Sequence, residues 1–227
     1  MRKHAVAVLL AIACSPALAQ AADAPATPDW IEQSRQLAQQ LGGELKGELS
    51  RAISAGGPVA AVAVCKTRAP EIAASLSAKS GAVVGRTALR VRNPANAPDE
   101  LQRALLEQFS AELASGQFAG PLEAAFEINR GGQVERRYMR AIPMDALCLT
   151  CHGPVLAPDL AAVIKRDYPD DQATGFEQGQ LRGAFSVTWP PVAPPLAKLR
   201  GCTLDPFVVT GGVVLHGLPP VDWAALL

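Results

Sequence analysis

The chain has 227 residues, 21 Lys and Arg against 21 Asp and Glu, 49% hydrophobic residues and 5% aromatics. That length suits one domain with a real core plus extensions. Zero formal charge without a basic block argues against a nucleic-acid or polybasic membrane partner, and 19% charged residues with positive mean hydropathy argue against a disordered chain.

Residues 1–19 read as a cleavable export signal. Arg2, Lys3 and His4 form the basic start, Ala5 to Ala13 is apolar, and Ala17-Leu18-Ala19 offers a small-residue cleavage site. The apolar run falls short of the about 20 residues that span a bilayer. Cys14 as a lipid-bearing cysteine is disfavoured, because Ala11 stands where such sites carry a larger aliphatic residue. Phe207 to Leu218 is apolar but broken by Gly211, Gly212 and Gly217 and followed by Pro219 and Pro220. The expectation is a periplasmic protein without a transmembrane span, carrying 19 basic and 21 acidic residues after cleavage. It keeps Cys65, Cys148, Cys151 and Cys202.

Residues 20–28 read as a linker, 29–190 as the domain, and 191–227 as an atypical extension without clear periodicity. The domain opens with a long helix, with Asp29 and Glu32 as a capping box. Ile31, Leu37, Leu41, Leu45, Leu49 and Ile53 follow at helical spacing, and Gly56-Gly57 stops the pattern. Val59 to Cys65 is apolar and fits helix or strand equally. A short helix from about Pro70 to Ser80 ends at Gly81, and Ala82 to Arg92 reads as strand. Asn93 to Pro98 is a turn segment, and Asp99 to Ser115 returns to helix. Leu122 to Ile128 and Gln133 to Ile142 flank Asn129-Arg130-Gly131-Gly132, which predicts a hairpin with a four-residue loop. Leu160 to Arg166 is a short helix and Leu181 to Trp189 a last strand.

Cys148-Leu149-Thr150-Cys151-His152 carries the chemistry. C-x-x-C-H is the attachment pattern of c-type haem: two thiols one turn apart reach both porphyrin vinyl groups, and the adjacent histidine offers Nε2 to the iron. In a chain of this composition such a pentapeptide arises by chance about once in a thousand. A redox dithiol needs the pair to open a helix straight after a core strand, and a zinc site needs two more ligands at regular spacing. Cys148 and Cys151 are therefore the anchors and His152 the proximal ligand of one haem c. For the second axial position, residue chemistry leaves Cys65, Met139, Met144, His216 and Cys202 open. Met139 lies in a strand where packing is its ordinary role. Cys65 is followed by Lys66 and Arg68, cations that favour a thiolate, against the alternatives of an inert thiol or a disulfide with Cys202. No distal histidine for peroxidase chemistry is evident.

Beyond this pentapeptide, Val84-Gly85-Arg86-Thr87, Arg92-Asn93-Pro94, Asn96 to Glu100 and Cys148 to Gly153, spread over residues 30 to 190, resemble the PAS-like mono-haem c-type cytochrome domain family, long catalogued as a periplasmic domain of unknown function. The resemblance implies an α+β fold, with a long N-terminal helix and a PAS-like antiparallel sheet flanked by helices. It also implies His152 and Cys65 as the axial pair. Arg86, Arg90 and Arg92 are candidates for propionate or pocket contacts, against the alternative of solvated strand positions. His/Cys ligation depresses the reduction potential. The functional expectation is a redox or gas (NO or CO) sensor with an unknown signalling partner, and the competing one is a low-potential electron carrier.

Overall fold

The structure, a computed structural model, describes residues 29–116, 120–130, 132–192 and 213–216. The expected signal, the linker and Cys202 lie outside the described residues, as does all of 191–227 except 191, 192 and 213–216. Helix α1 (Asp29–Ala63) leaves helical geometry at Gly56. Gly57 then adopts φ 73° and ψ −176°, which only glycine takes without strain, and Pro58 restarts the helix with its pre-set φ. The glycine pair thus breaks the helix as expected, and the ambiguous run after it is helical. A π-turn over Val64–Arg68 carries Cys65 into α2 (Ala69–Ser80), closed by Gly81 in the left-handed region. The capping box expected at Asp29 is not formed among the described residues. Glu32 instead accepts from Arg35 Nη1 and Gln36 Nε2 on the next turn.

Strand β1 (Val83–Thr87) is shorter than the predicted Ala82–Arg92. The chain turns away because Thr87 Oγ1 and Ala88 N both donate to the Asn96 carbonyl, and Arg90 and Arg92 are drawn to a loop around residue 172. A 3₁₀ turn (Pro94–Asn96) leads to α3 (Glu100–Ser115), whose capping box joins Asp99 and Gln102 reciprocally. β2 (Glu123–Arg130) and β3 (Gln133–Pro143) pair as a hairpin with Arg130 opposite Gln133, so two residues, not four, form the loop. Asn129 accepts from the Gly132 N–H across it. α4 (Ala146–His152) and α5 (Pro158–Asp167) follow, and β4 (Leu181–Val192) runs through Pro190 and Pro191 past the predicted end. β5 (Val213–His216) pairs its backbone with the edge of β2.

The five strands form an antiparallel sheet in the order β1-β4-β3-β2-β5, which makes the fold α+β as expected. Alternation along each strand divides the core. Val84, Tyr138 and Val187 meet Trp30, Ile31, Leu41, Ile72 and Leu76 of α1 and α2. Phe126, Met139 and Ala184 meet Leu105, Leu106 and Phe109 of α3 on the other face. Each large side chain so buried contributes about 1.5–3 kcal/mol. The polar groups left inside are paired: Trp189 Nε1 donates to Ser34 Oγ at 2.8 Å, and Ser34 donates to the Trp30 carbonyl at 2.7 Å. Tyr138 and Arg35 both donate to the Glu123 carboxylate. Among the described residues, no helix is long and apolar enough to cross a membrane.

Candidate functional site

A cavity opens on the α1 side of the sheet, lined by residues 42–53 of α1, by α4 and by residues of β1 and β4. It encloses about 1140 Å³ counted out to its open mouth. Gly42 allows α1 to cross here, because a Cβ would meet the Phe185 ring at 2.8 Å. Leu45, Leu49, Ile53, Ile142, Leu147 and Phe185 line it with apolar surface.

Onto this cavity the fold brings Cys65, Arg86, Arg92, Cys148, Cys151 and His152, six of the predicted residues, from positions 87 apart in the chain at the extremes. α4 presents three of them. Its N-cap Asp145 accepts from the Cys148 N–H at 3.2 Å and pairs with Lys46 of α1 at 2.5 Å, which pins the helix against α1. All three cysteines are free thiols, and no disulfide forms among the described residues. Burial and the neighbouring Asp145 push the Cys148 thiol above its ordinary pKa, and burial with nearby Cys65 does the same to Cys151.

His152 is oriented by a backbone partner. Its Nδ1 lies 2.6 Å from the Ala173 carbonyl oxygen, which can only accept, so Nδ1 carries the proton and Nε2 is left with its lone pair. Burial, then Arg182 and Arg92, hold the ring neutral with a pKa pushed down to about 2. Phe176 stands edge-on to the ring at 6.5 Å.

The arginines divide by role. Arg92 is a buried strut: it binds Asp171 through Nε and Nη2 at 3.0 and 3.1 Å and donates to the Cys151 and Ala173 carbonyls. It therefore ties the motif helix to the carbonyl that holds His152. Arg86 projects from β1 beside Phe185, and among the described residues it has no carboxylate partner. Burial lowers its pKa, and the Cys65 sulfur nearby acts against that shift. Arg90 does not reach the cavity, contrary to expectation. Strand β1 ends before it, and its guanidinium binds the Gln172 and Thr174 carbonyls and stacks on Phe176 from outside.

The other ligand candidates separate too. Met139 is sealed in the α3 core, and Met144 packs against Ala173 and Phe176 outside the cavity lining. His216 shares a backbone register with Ala125, and its side chain is outside the described residues.

Sequence reasoning missed Arg182 and Tyr168. Opposite Ile142 and Pro143 of β3 stand Gly183 and Leu181, so Arg182 between them is the extra residue of a β-bulge, which turns its side chain to the cavity. Burial, then Arg86 and Arg92, lower its pKa to about 10. Tyr168, capping α5, lines the cavity with its phenol raised to about 12 by burial and by Cys65. An Arg at the start of a predicted strand carries no signal of a bulge.

A sheet with helices on both faces, and a cavity that gathers a C-x-x-C-H helix and a distant thiol, define the class. The chain belongs to the Tll0287-like family, whose description matches residues 18–190. Among solved structures it is similar to the cyanobacterial haem protein Tll0287, at 30% identity and a TM-score of 0.56, over 74% of this chain and 99% of that one. No curated protein matches.

Proposed function

We propose that the chain is an exported, periplasmic c-type cytochrome domain carrying one covalent haem c and acting as a redox or diatomic-gas (NO or CO) sensor. One observation carries the reading: a single cavity gathers two motif thiols, a histidine whose Nδ1 is committed to a carbonyl, and a third thiol from far away in the chain. Cys148 and Cys151 would hold the porphyrin by thioether bonds, with His152 Nε2 and Cys65 as axial ligands. The donor set fits: both ligating types suit iron, and the apolar walls suit a macrocycle.

When bound, haem supplies one-electron chemistry, and a thiolate ligand favours its ferric state. The chain's own residues set the conditions. The Ala173 carbonyl holds the imidazole in one tautomer, leucine and isoleucine side chains give the cavity apolar walls, and Arg86 supplies positive charge for the propionates. Cys65 stands on a π-turn after the Gly56-Gly57 break, an irregular backbone that recurs at functional sites. Cys65 would be the donor whose bond to iron a proton could weaken, and haem, when bound, would supply the position that NO or CO takes.

Expression with the cytochrome c maturation machinery and a pyridine-haemochrome assay should show c-type attachment that Cys148→Ser and Cys151→Ser impair. Cys65→Ser should change the ferric absorption and EPR spectra, and unchanged spectra would remove Cys65 from the iron. Reduced protein that takes up neither gas would favour electron transfer instead.

A further inference from the structure

Arg90, displaced from the first cavity, forms the wall of a second. This cleft lies between α3, the loop after α5 and the start of β4, and encloses about 1110 Å³ out to its mouth. The two cavities stand back to back and share Arg182 and Gly183. In the second, Arg90 lies 4.2 Å and Arg182 5.6 Å from the centre of the same Phe176 ring. Two cations are thus gathered on one aromatic side chain, and among the described residues no Asp or Glu lines the cleft. Arg90 donates from Nε and Nη2 to the Gln172 and Thr174 carbonyls, which holds its guanidinium in place and leaves Nη1 available to a ligand without loss of side-chain freedom on binding. Leu113 and Leu181 add apolar surface, and Ser110 a hydroxyl.

We propose that this cleft binds a small organic carboxylate, its anionic group between Arg90 and Arg182 and its apolar body against Leu113 and Leu181. A carboxylate can accept from the Nη1 end of Arg90 in the plane of the guanidinium, and the apolar walls select an organic acid over an inorganic anion. Phe176 is the shared contact, since it takes both guanidinium groups, stands edge-on to His152 and donates its N–H to the His152 carbonyl at 2.9 Å. The organic-acid site would thus stand beside the haem-type site and separate from it.

The test is calorimetric titration of the intact haem-loaded protein with benzoate, beside benzyl alcohol, which keeps the ring and lacks the charge. Benzoate should bind with one-to-one stoichiometry and benzyl alcohol at least tenfold more weakly. Arg90→Ala should weaken benzoate at least tenfold. Ala114→Trp, a change on the exposed rim of α3, should block the cleft while the far-UV circular dichroism stays unchanged. Equal heats for the two probes, or wild-type benzoate affinity in either variant, would overturn the proposal. Heat of binding does not depend on the iron's ligands, so failure of the haem assignment would show separately in the pyridine-haemochrome assay.

Discussion

Asp171→Ala puts the largest demand on the link between fold and site. Asp171 and Arg92 are 8% and 7% exposed in their side chains, so solvent screens the pair little and no discount for a surface ion pair applies. Removing the carboxylate leaves the Arg92 charge buried, and Ala173 N loses its 2.9 Å bond to Oδ1. Breaking one partner of a buried pair costs about 3–5 kcal/mol. For a domain of this size each kcal/mol lowers Tm by about 2–4 °C, so the expected drop is roughly 6–20 °C. Urea unfolding followed by circular dichroism measures the loss. Adding Arg92→Met to Asp171→Ala removes the stranded charge and should recover at least about 1 kcal/mol relative to the single variant. Since Ala173 also holds His152, the single variant should broaden the ferric EPR signal. A loss below about 1 kcal/mol, or a double variant no more stable than the single one, would refute the strut.

Gly183→Ala should cost about 1–3 kcal/mol by chemical denaturation, because the new Cβ would run into the Thr87 carbonyl oxygen and lie 3.0 Å from Ala88 Cβ. A near-neutral result would mean that β1 and β4 can separate there. Glu123 supplies the pH dependence. Burial raises its carboxyl pKa, yet hydrogen bonds from Arg35 and Tyr138 outweigh that and leave it below the ordinary 4.5. A depressed folded-state pKa contributes stability that is full above about pH 4.5 and lost as the pH falls through the folded value. Glu123→Gln should therefore flatten the acid limb of a stability–pH curve, and an unchanged slope there would count against the Arg35–Glu123–Tyr138 cluster.

Much of the framework was legible because local chemistry decides it. Leucines and isoleucines four apart made α1, Gly81 ended α2, and Asn93 and Pro94 turned the chain. The departures share one cause. β1 stops at Thr87, and Arg90 and Arg92 bind loop groups about 80 residues away in sequence, which no local pattern announces. The hairpin loop shrank to two residues because ladder pairing extends to Arg130 and Gln133, where both residues find partners.

The cysteines and the histidine of the cavity follow the same division. By itself the sequence determined that Cys148, Cys151 and His152 stand together, because their spacing is covalent and one helical turn long. It also marked Gly56-Gly57 as the break in the first helix, while leaving the run up to Cys65 open between helix and strand. Only tertiary structure decided that Cys65 shares a cavity with them, that Ala173 selects the tautomer of His152, and that a bulge turns Arg182 inward where Arg90 was expected. Those are contacts between segments remote in the chain. They follow from the packing of sheet against helix, which the alternation within each strand permits and does not specify.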